Sequence, residues 1–205
     1  MLLLGISRYG AKFLDKCNGQ FSFFHMNLNT GRIILCRDRL GQKPLFYKYE
    51  NNELVFSTNL VSLVKCLKLN KSDISYDSLN KYINLGVVPS PDTIFQNIYK
   101  VRPGSYLEFN LFKNIEFIQE IKYWNIENYI GENQFSNKVF ENLFYEACSL
   151  RTRSDVPFSS FLSGGIDSTA VTKNLNEVLD NVDTFSIVQK NPKYNEEKWV
   201  DFVAH

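Results

Sequence analysis

The residues best suited to chemistry form a short loop, Ser163–Thr169, with the sequence SGGIDST. Two consecutive glycines let a backbone come close to a bulky anion. A helix that begins near Asp167 adds unpaired N–H groups and the positive end of its dipole, which favour an oxyanion or a phosphate. The hydroxyl groups of Ser163, Ser168 and Thr169 are further donors. The loop therefore predicts a phosphate site.

The carboxylate of Asp167 needs its own explanation, because it would repel a phosphate. Its presence indicates a magnesium ion, or an ordered loop, between carboxylate and phosphates. The sequence differs from a Walker loop, which needs G-x-x-x-x-G-K and a lysine. A plainer interpretation also stands: the Ser-Gly-Gly turn joins a strand to a helix, and Asp167 is the N-cap.

The cysteines are widely spaced, form no C-x-x-C pair and have only His25 and His205 as imidazole partners. They are Cys17, Cys36, Cys66 and Cys148. This spacing argues against a zinc site. We interpret them as small buried apolar residues in a reducing compartment.

The composition predicts a globular protein, since 44% of the 205 residues are hydrophobic and 15% are aromatic. Lys plus Arg number 23 and Asp plus Glu number 22, so the net charge of +1 supplies no broad field for nucleic acid or an anionic membrane. No apolar run approaches the roughly 20 residues that span a bilayer, and Met1–Leu4 is too short for a signal peptide. We expect a cytoplasmic protein that binds neither nucleic acid nor membranes.

Elements that position the loop follow from periodicity. The first part reads as a leading helix, Leu2–Lys16, then two hairpins with turns at Asn27–Gly31 and Asn51–Asn52. Two short helices are predicted at Leu60–Leu67 and Tyr76–Leu85, the second capped by Asp73 or Ser75, and a further strand at Tyr106–Phe109.

The second part of the chain is predicted to begin with a helix from Val139 to Leu150 and a strand at Val156–Leu162. The loop and a helix follow, then a strand at Thr184–Val188 and a helix after Asn195. This β-α-β-α order predicts a parallel sheet.

The loop resembles the S-G-G-x-D-S segment of the ATP pyrophosphatase family, which binds the pyrophosphate of ATP during adenylation. That family is broad, so the resemblance implies the nucleotide and leaves the second substrate open.

The rest of the chain resembles the glutamine-hydrolysing asparagine synthetases. Arg37–Tyr47, RDRLGQKPLFY, is similar to R-D-x-x-G-x-K-P-L-Y-Y late in their glutaminase domain, and Asn18–Phe23 is similar to N-G-M-F-A-F. Further matches follow in the family's order at Gly86–Phe95, Pro103–Gly104, Tyr123–Trp124 and Arg153–Pro157. We interpret Arg37-Asp38-Arg39 as ion pairs that fix a loop, with no catalytic role.

The resemblance implies a fold of mixed α/β and α+β class in two partial domains. Residues 1–125 would be the C-terminal half of an Ntn-type αββα class II glutamine amidotransferase domain. Residues 126–135 would be a linker. Residues 136–205 would begin a Rossmann-like adenine nucleotide α-hydrolase domain, also called a PP-loop domain.

The resemblance also implies ATP and Mg²⁺ as cofactors, with Asp167 as the metal ligand. The implied nucleotide-binding residues are Leu162, Ser163, Gly164, Gly165, Asp167, Ser168 and Ile187. Leu162 and Ile187 would supply apolar faces to the adenine. The alternative for these two is an ordinary core strand.

One departure concerns the glutaminase nucleophile, a cysteine at the mature N-terminus in this family, where Leu2 follows the initiator here. We therefore assign no catalytic residue. We expect the family's glutamine-binding motifs before Met1 and its second ATP and aspartate loop after His205. The chain is then expected to be a fragment with an internal methionine as its start, inactive alone.

By resemblance, the intact enzyme would adenylate the β-carboxylate of aspartate with ATP and amidate it with ammonia from glutamine. Its partners would be aspartate, glutamine or ammonia, ATP and a second copy in a homodimer. Two alternatives stay open: a related amidotransferase of surface-polysaccharide biosynthesis, which amidates a sugar carboxylate, and a non-catalytic ATP-binding remnant.

Overall fold

A computed structural model describes residues 1–131 and 136–204. The chain divides into two compact units, Met1–Ile130 and Gly131–His205. The division falls within the stretch 126–135 that the sequence suggests as a linker, although a 3-10 helix occupies Ile126–Tyr129. Residues 132–135 of that stretch lie outside the described residues.

The first unit contains three α-helices and seven strands within its described residues. The helices are α1 (Leu2–Tyr9), α2 (Leu60–Cys66) and α3 (Tyr76–Leu85). The strands are β1 (Ser22–Asn27), β2 (Arg32–Arg37), β3 (Phe46–Glu50), β4 (Glu53–Ser57), β5 (Tyr99–Lys100), β6 (Ser105–Asn110) and β7 (Glu116–Lys122).

Two antiparallel sheets enclose the core of this unit. One has the strand order β1-β2-β6-β7 and the other β4-β3-β5. In the first sheet Leu35 pairs with Phe24 on one side and Leu107 on the other. Leu35, Leu107 and Phe109 are fully buried on the face against which Tyr47 and Leu54 of the second sheet pack. On the opposite face, Ile34 and Tyr106 pack with Ile6 and Leu14 of the N-terminal segment.

Both predicted hairpins and both short helices are confirmed. Asn51 and Asn52 form the β3–β4 turn with φ values of 52° and 61°, the left-handed region that asparagine tolerates best after glycine. Ser75, rather than Asp73, caps α3 by accepting a hydrogen bond from Ser78 N at 3.2 Å.

The predicted helix Leu2–Lys16 is wrong in its second half. The α-helix ends at Tyr9, because Gly10 has a φ of 63° that an α-helix cannot continue through. Gly10–Lys16 forms a 3-10 helix instead. Strand β7 was not expected, since nearly all of its side chains are exposed and its sequence lacks clear alternation.

The second unit contains α4 (Asn137–Arg151), β8 (Ser159–Phe161), α5 (Ile166–Leu179), β9 (Asp183–Phe185) and α6 (Glu197–Ala204). β8 and β9 are parallel, with Ser160 paired to Thr184, as the β-α-β order predicts. Each strand is three residues long, shorter than the expected Val156–Leu162 and Thr184–Val188.

Two of the four cysteines, Cys36 and Cys148, are buried as expected, and burial raises the pKa of both thiols. Cys66 is exposed, so the expectation of burial is wrong there. In the described part of the chain, every helix is too short or too polar to cross a bilayer.

Candidate functional site

The loop Ser163–Gly165 leaves the carboxyl end of β8 and leads directly into α5. Leu162, only 2% exposed, donates its N–H to Phe185 O at 2.9 Å and so continues the pairing of the two parallel strands. Its own carbonyl accepts from Ser186 Oγ at 2.6 Å. The loop therefore starts from a fixed point at the carboxyl edge of the sheet, where α/β proteins commonly bind ligands.

A pair of serine hydroxyls holds the loop in shape. Ser163 Oγ and Ser168 Oγ lie 3.0 Å apart, and Ser168 Oγ donates to Gly165 O at 3.1 Å. Ser163 N donates to Ser168 Oγ at 3.3 Å, and Gly165 N to Ser163 Oγ at 3.4 Å. The structure thus brings together four of the predicted site residues, Ser163, Gly164, Gly165 and Ser168, in one turn.

The first of the two glycines cannot be replaced without strain. Gly164 has a φ of 74°, and a Cβ atom there would lie 2.5 Å from Trp199 Cβ of α6. Gly165 differs, with a φ of −75° and only Ser163 Oγ, at 3.4 Å, within reach of an added Cβ. Gly164 therefore serves both the left-handed turn and the close approach of α6.

Within the described residues, the first N–H groups of α5 have no recorded acceptor. The first helical hydrogen bond runs from Thr169 N to Gly165 O at 3.0 Å, so the N–H groups of residues 166–168 precede it. Gly165 is the N-cap and provides no side-chain acceptor. The interpretation of Asp167 as N-cap is therefore wrong, since Asp167 lies within the first helical turn and is exposed.

Thr169 has a buried hydroxyl for which the described residues supply no hydrogen-bond partner. A buried polar atom left without a partner costs roughly 1–3 kcal/mol, so such atoms are rare in the absence of a ligand or water. Its position directly after the unbonded N–H groups makes it a further candidate ligand contact.

The two expected adenine contacts differ in their environments. Ile187 lies two residues beyond the end of β9 and is 78% exposed, so the alternative of an ordinary core position is wrong for it. Leu162 is buried, as a core position requires.

The sequence did not predict the roles of Ser186 and Trp199. A polar residue directly after a parallel strand is a signal that could have identified Ser186.

Metal ligands are sparse at the loop. Among the described residues no group of three or more His, Cys, Asp or Glu side chains converges on one point. Asp167 is the carboxylate that the loop sequence itself contributes.

In the first unit, the charged triplet Arg37-Asp38-Arg39 fixes a loop as expected, although by a different means. Arg37 donates to the carbonyl oxygens of Gly41, Lys43 and Val101 at 2.6–2.9 Å. Asp38, 2% exposed, accepts from the N–H groups of Leu40, Gln42 and Lys43 at 2.9–3.2 Å. Backbone groups, and not the expected ion pairs, satisfy these charges.

Tyr123 ties strand β7 to the same loop. Its hydroxyl donates to Arg37 O at 2.9 Å, and burial raises the pKa of that hydroxyl, so it stays protonated as a donor. Tyr123 N and Trp124 N both donate to Gly104 O, at 2.9 and 3.1 Å. The segments that resemble known motifs therefore meet at one end of the four-stranded sheet.

Comparisons with known proteins define the class of each unit. Residues 1–124 match the glutamine amidotransferase domain model, and residues 139–205 match the asparagine synthase model. The chain therefore belongs to the glutamine amidotransferase domain family and carries an asparagine synthase segment after it, the order found in glutamine-hydrolysing asparagine synthetases.

Individual relatives are similar to this chain over most of its length. The chain is 34% identical over 203 residues to a putative asparagine synthetase [glutamine-hydrolyzing] 2 of Methanocaldococcus jannaschii, covering 97% of this chain and 39% of that protein. It is 31% identical over 187 residues to asparagine synthetase [glutamine-hydrolyzing] 1 of Bacillus subtilis, covering 91% and 29%. Amidase chry2 of Gibberella zeae is 31% identical over 178 residues, covering 80% and 24%. The chain thus spans two fifths or less of the length of these relatives.

Proposed function

We propose that the loop 163–168 binds the phosphates of ATP and that the protein acts in glutamine-dependent asparagine synthesis. The observation that supports nucleotide binding is the left-handed turn at Gly164 directly before the unbonded N–H groups at the start of α5. Such groups, together with the helix dipole, favour an anion. The asparagine synthase match over residues 139–205 supports the choice of reaction.

Mg²⁺ fits this site in its chemistry. It is commonly bound by one or two carboxylates together with substrate phosphates and water, so the single exposed carboxylate of Asp167 is a sufficient protein ligand. When bound, the ion would neutralise negative charge on the phosphates.

In the proposed reaction, ATP adenylates the β-carboxylate of aspartate and releases pyrophosphate, and ammonia from glutamine gives asparagine and AMP. The N–H groups of residues 166–168 and the hydroxyl of Thr169 would stabilise charge that develops on the leaving pyrophosphate. The exposed Ile187 side chain would cover one face of the adenine, and the buried Leu162 would add apolar surface below it at the strand end.

The finer assignment of the fold belongs to the same proposal. We assign residues 1–125 to part of an Ntn-type class II glutamine amidotransferase domain and residues 136–205 to part of a PP-loop ATP pyrophosphatase domain. The antiparallel sheets of the first unit and the parallel β8–β9 pair followed by α5 support this assignment. A cytoplasmic location and a homodimeric intact enzyme remain parts of the proposal.

Binding of magnesium pyrophosphate to the 205-residue chain tests the proposed site. Trp199 provides a fluorescence signal, because its Cβ lies close to the Gly164 backbone. Trp124 is replaced by phenylalanine so that Trp199 is the single tryptophan. We expect Ser168→Ala to weaken binding about tenfold, because it removes the hydroxyl that holds Ser163 and Gly165 in the turn. The matched control is Ser159→Ala, an exposed serine of β8. Absence of binding, or equal affinities of the two variants, would contradict the proposal.

A second candidate function retains the ATP chemistry and changes the acceptor. The resemblance of the loop 163–168 concerns the nucleotide and leaves the acceptor open, which is the basis of this candidate. ATP–pyrophosphate exchange by the intact protein distinguishes the two: dependence on aspartate supports asparagine synthesis, and dependence on another carboxylate supports the second candidate.

A further inference from the structure

A cavity of about 340 Å³ opens in the first unit where strands β6 and β7 meet the segment that follows them. Ser105 pairs with Lys122 at this end of the sheet, and the Gly104 carbonyl accepts the N–H groups of Tyr123 and Trp124. The cavity walls are thus built on backbone hydrogen bonds. Its volume lies in the range of roughly 300–1,000 Å³ that is usual for small-molecule sites.

Three cationic residues, Arg39, Arg102 and Lys122, line the cavity. None of the described residues that line it is acidic. Glu120 forms an ion pair with Arg102, although Glu120 itself does not line the cavity. The local balance of charge is therefore positive, in a chain whose net charge is only +1.

The guanidinium of Arg39 makes one hydrogen bond within the described residues, while another of its donors has no acceptor there. Its Nη2 donates to Asp15 O at 2.9 Å, while its Nε is buried and finds no acceptor within the part of the chain that the structure describes. The bond from Nη2 holds the guanidinium in place, and the buried Nε without an acceptor costs free energy.

An aromatic wall lies beside these cations. Trp124 lines the cavity, and its ring stacks on Tyr129 with centroids 6.0 Å apart and planes 27° from parallel. Pro103 and Ile126 add apolar surface. A tryptophan ring held in this way is suited to stacking with a flat ring of a ligand.

We propose that this cavity binds a phosphate monoester that carries a planar ring, of the class of a nucleoside monophosphate. Arg39, Arg102 and Lys122 supply the positive charge that a phosphate requires, and each guanidinium has further N–H donors beyond those that it uses within the protein. Trp124 receives the ring. This site lies in the first unit and does not depend on the proposed role of the loop 163–168 in the second.

The test uses the full 205-residue chain with Trp199→Phe, so that Trp124 is the single tryptophan. AMP is the probe. Two further ligands are compared with it: ribose 5-phosphate, which lacks the base, and adenosine, which lacks the phosphate. We expect saturable quenching of Trp124 by AMP, and affinities about tenfold weaker for each of the other two. No saturable change up to about 10 mM AMP, or equal binding of adenosine and AMP, would overturn the proposal.

Two substitutions that break the same ion pair give opposite expectations. Arg102→Gln removes a cation and should weaken AMP binding about tenfold, whereas Glu120→Gln releases Arg102 to the ligand and should strengthen binding. If the two substitutions acted only on the structure, they would change the affinity for AMP in the same direction. That result would overturn the proposal. Lys113→Gln, which removes a cation from another ion pair, is the matched control. Ser168→Ala is expected to leave the Trp124 signal unchanged, which separates this site from the loop of the second unit.

Discussion

Asp38 illustrates how much of the first unit depends on one side chain. It is 2% exposed and satisfies three backbone N–H groups of the loop that follows it. We expect Asp38→Ala to lower the free energy of unfolding by about 3 kcal/mol, because three donors lose their acceptor in a buried place. Urea denaturation monitored by Trp124 fluorescence measures this change.

The matched control for the Asp38→Ala substitution is Asp15→Ala. Asp15 is exposed, and its backbone carbonyl, which the substitution keeps, is the acceptor for Arg39. Exposed substitutions of this kind usually change stability by less than about 0.5 kcal/mol. Equal losses in the two variants would show that the buried carboxylate is not what holds the loop.

Asp167 allows a residue-scale prediction on activity. In the intact protein, Asp167→Ala should reduce ATP–pyrophosphate exchange about a hundredfold, since loss of one preorganised electrostatic contact costs on the order of 3 kcal/mol. Glutamine hydrolysis serves as the internal control and should change little, because Asp167 lies in the second unit. Near-normal exchange would leave Asp167 without a role in phosphate or metal binding.

At the scale of elements, the contact between the loop and α6 is sensitive to substitution. Gly164→Ala should destabilise the second unit by more than about 2 kcal/mol, because the new Cβ meets Trp199 Cβ at 2.5 Å and φ is 74°. The adjacent Gly165→Ala is the control, since its φ is −75° and its nearest new contact is 3.4 Å. Thermal unfolding followed by Trp199 fluorescence compares them, and a tolerated Gly164→Ala would mean that α6 moves away at little cost.

Elements whose signals are local could be predicted from the sequence. The hairpin at Asn51–Asn52 and the helix after Ser75 depend on turn and cap chemistry that neighbouring residues determine. Strand β7 could not be predicted, because its pairing with β6 holds it in place while its own side chains remain exposed. The strand predicted at Val156–Leu162 is too long at its start, because the pairing with β9 begins only at Ser159.

For the candidate site, the sequence predicted the turn and its position between strand and helix. It could not show that Gly165 is the N-cap, that Thr169 carries a buried hydroxyl or that Trp199 packs on Gly164. Each of these depends on exact helix register or on residues far along the chain, which spacing alone does not determine.

At the scale of the whole molecule, the two units differ in how completely they bury apolar side chains. Leu35 and Phe109 of the first unit are fully buried, whereas Phe161 and Phe185 of the second are 79% and 60% exposed. Full burial of such a side chain contributes about 1.5–3 kcal/mol, so we expect the second unit to unfold at lower urea concentration. Trp199 and Trp124, each monitored with the other replaced by phenylalanine, report on the two units separately. A single coincident transition would contradict this expectation.

The pairing of β2 with β6 has a consequence for the chain as it is being made. Ile33 pairs with Phe109, so the edge of β2 has no partner until a residue 76 positions later in the chain has been synthesised. At synthesis rates of roughly 5–20 residues per second, that wait lasts about 4–15 s, whereas the β1–β2 hairpin can form within about 10 μs. During this interval the nascent chain carries Ile33, Ile34 and Leu35 on a strand with an open edge, and such edges are prone to aggregation.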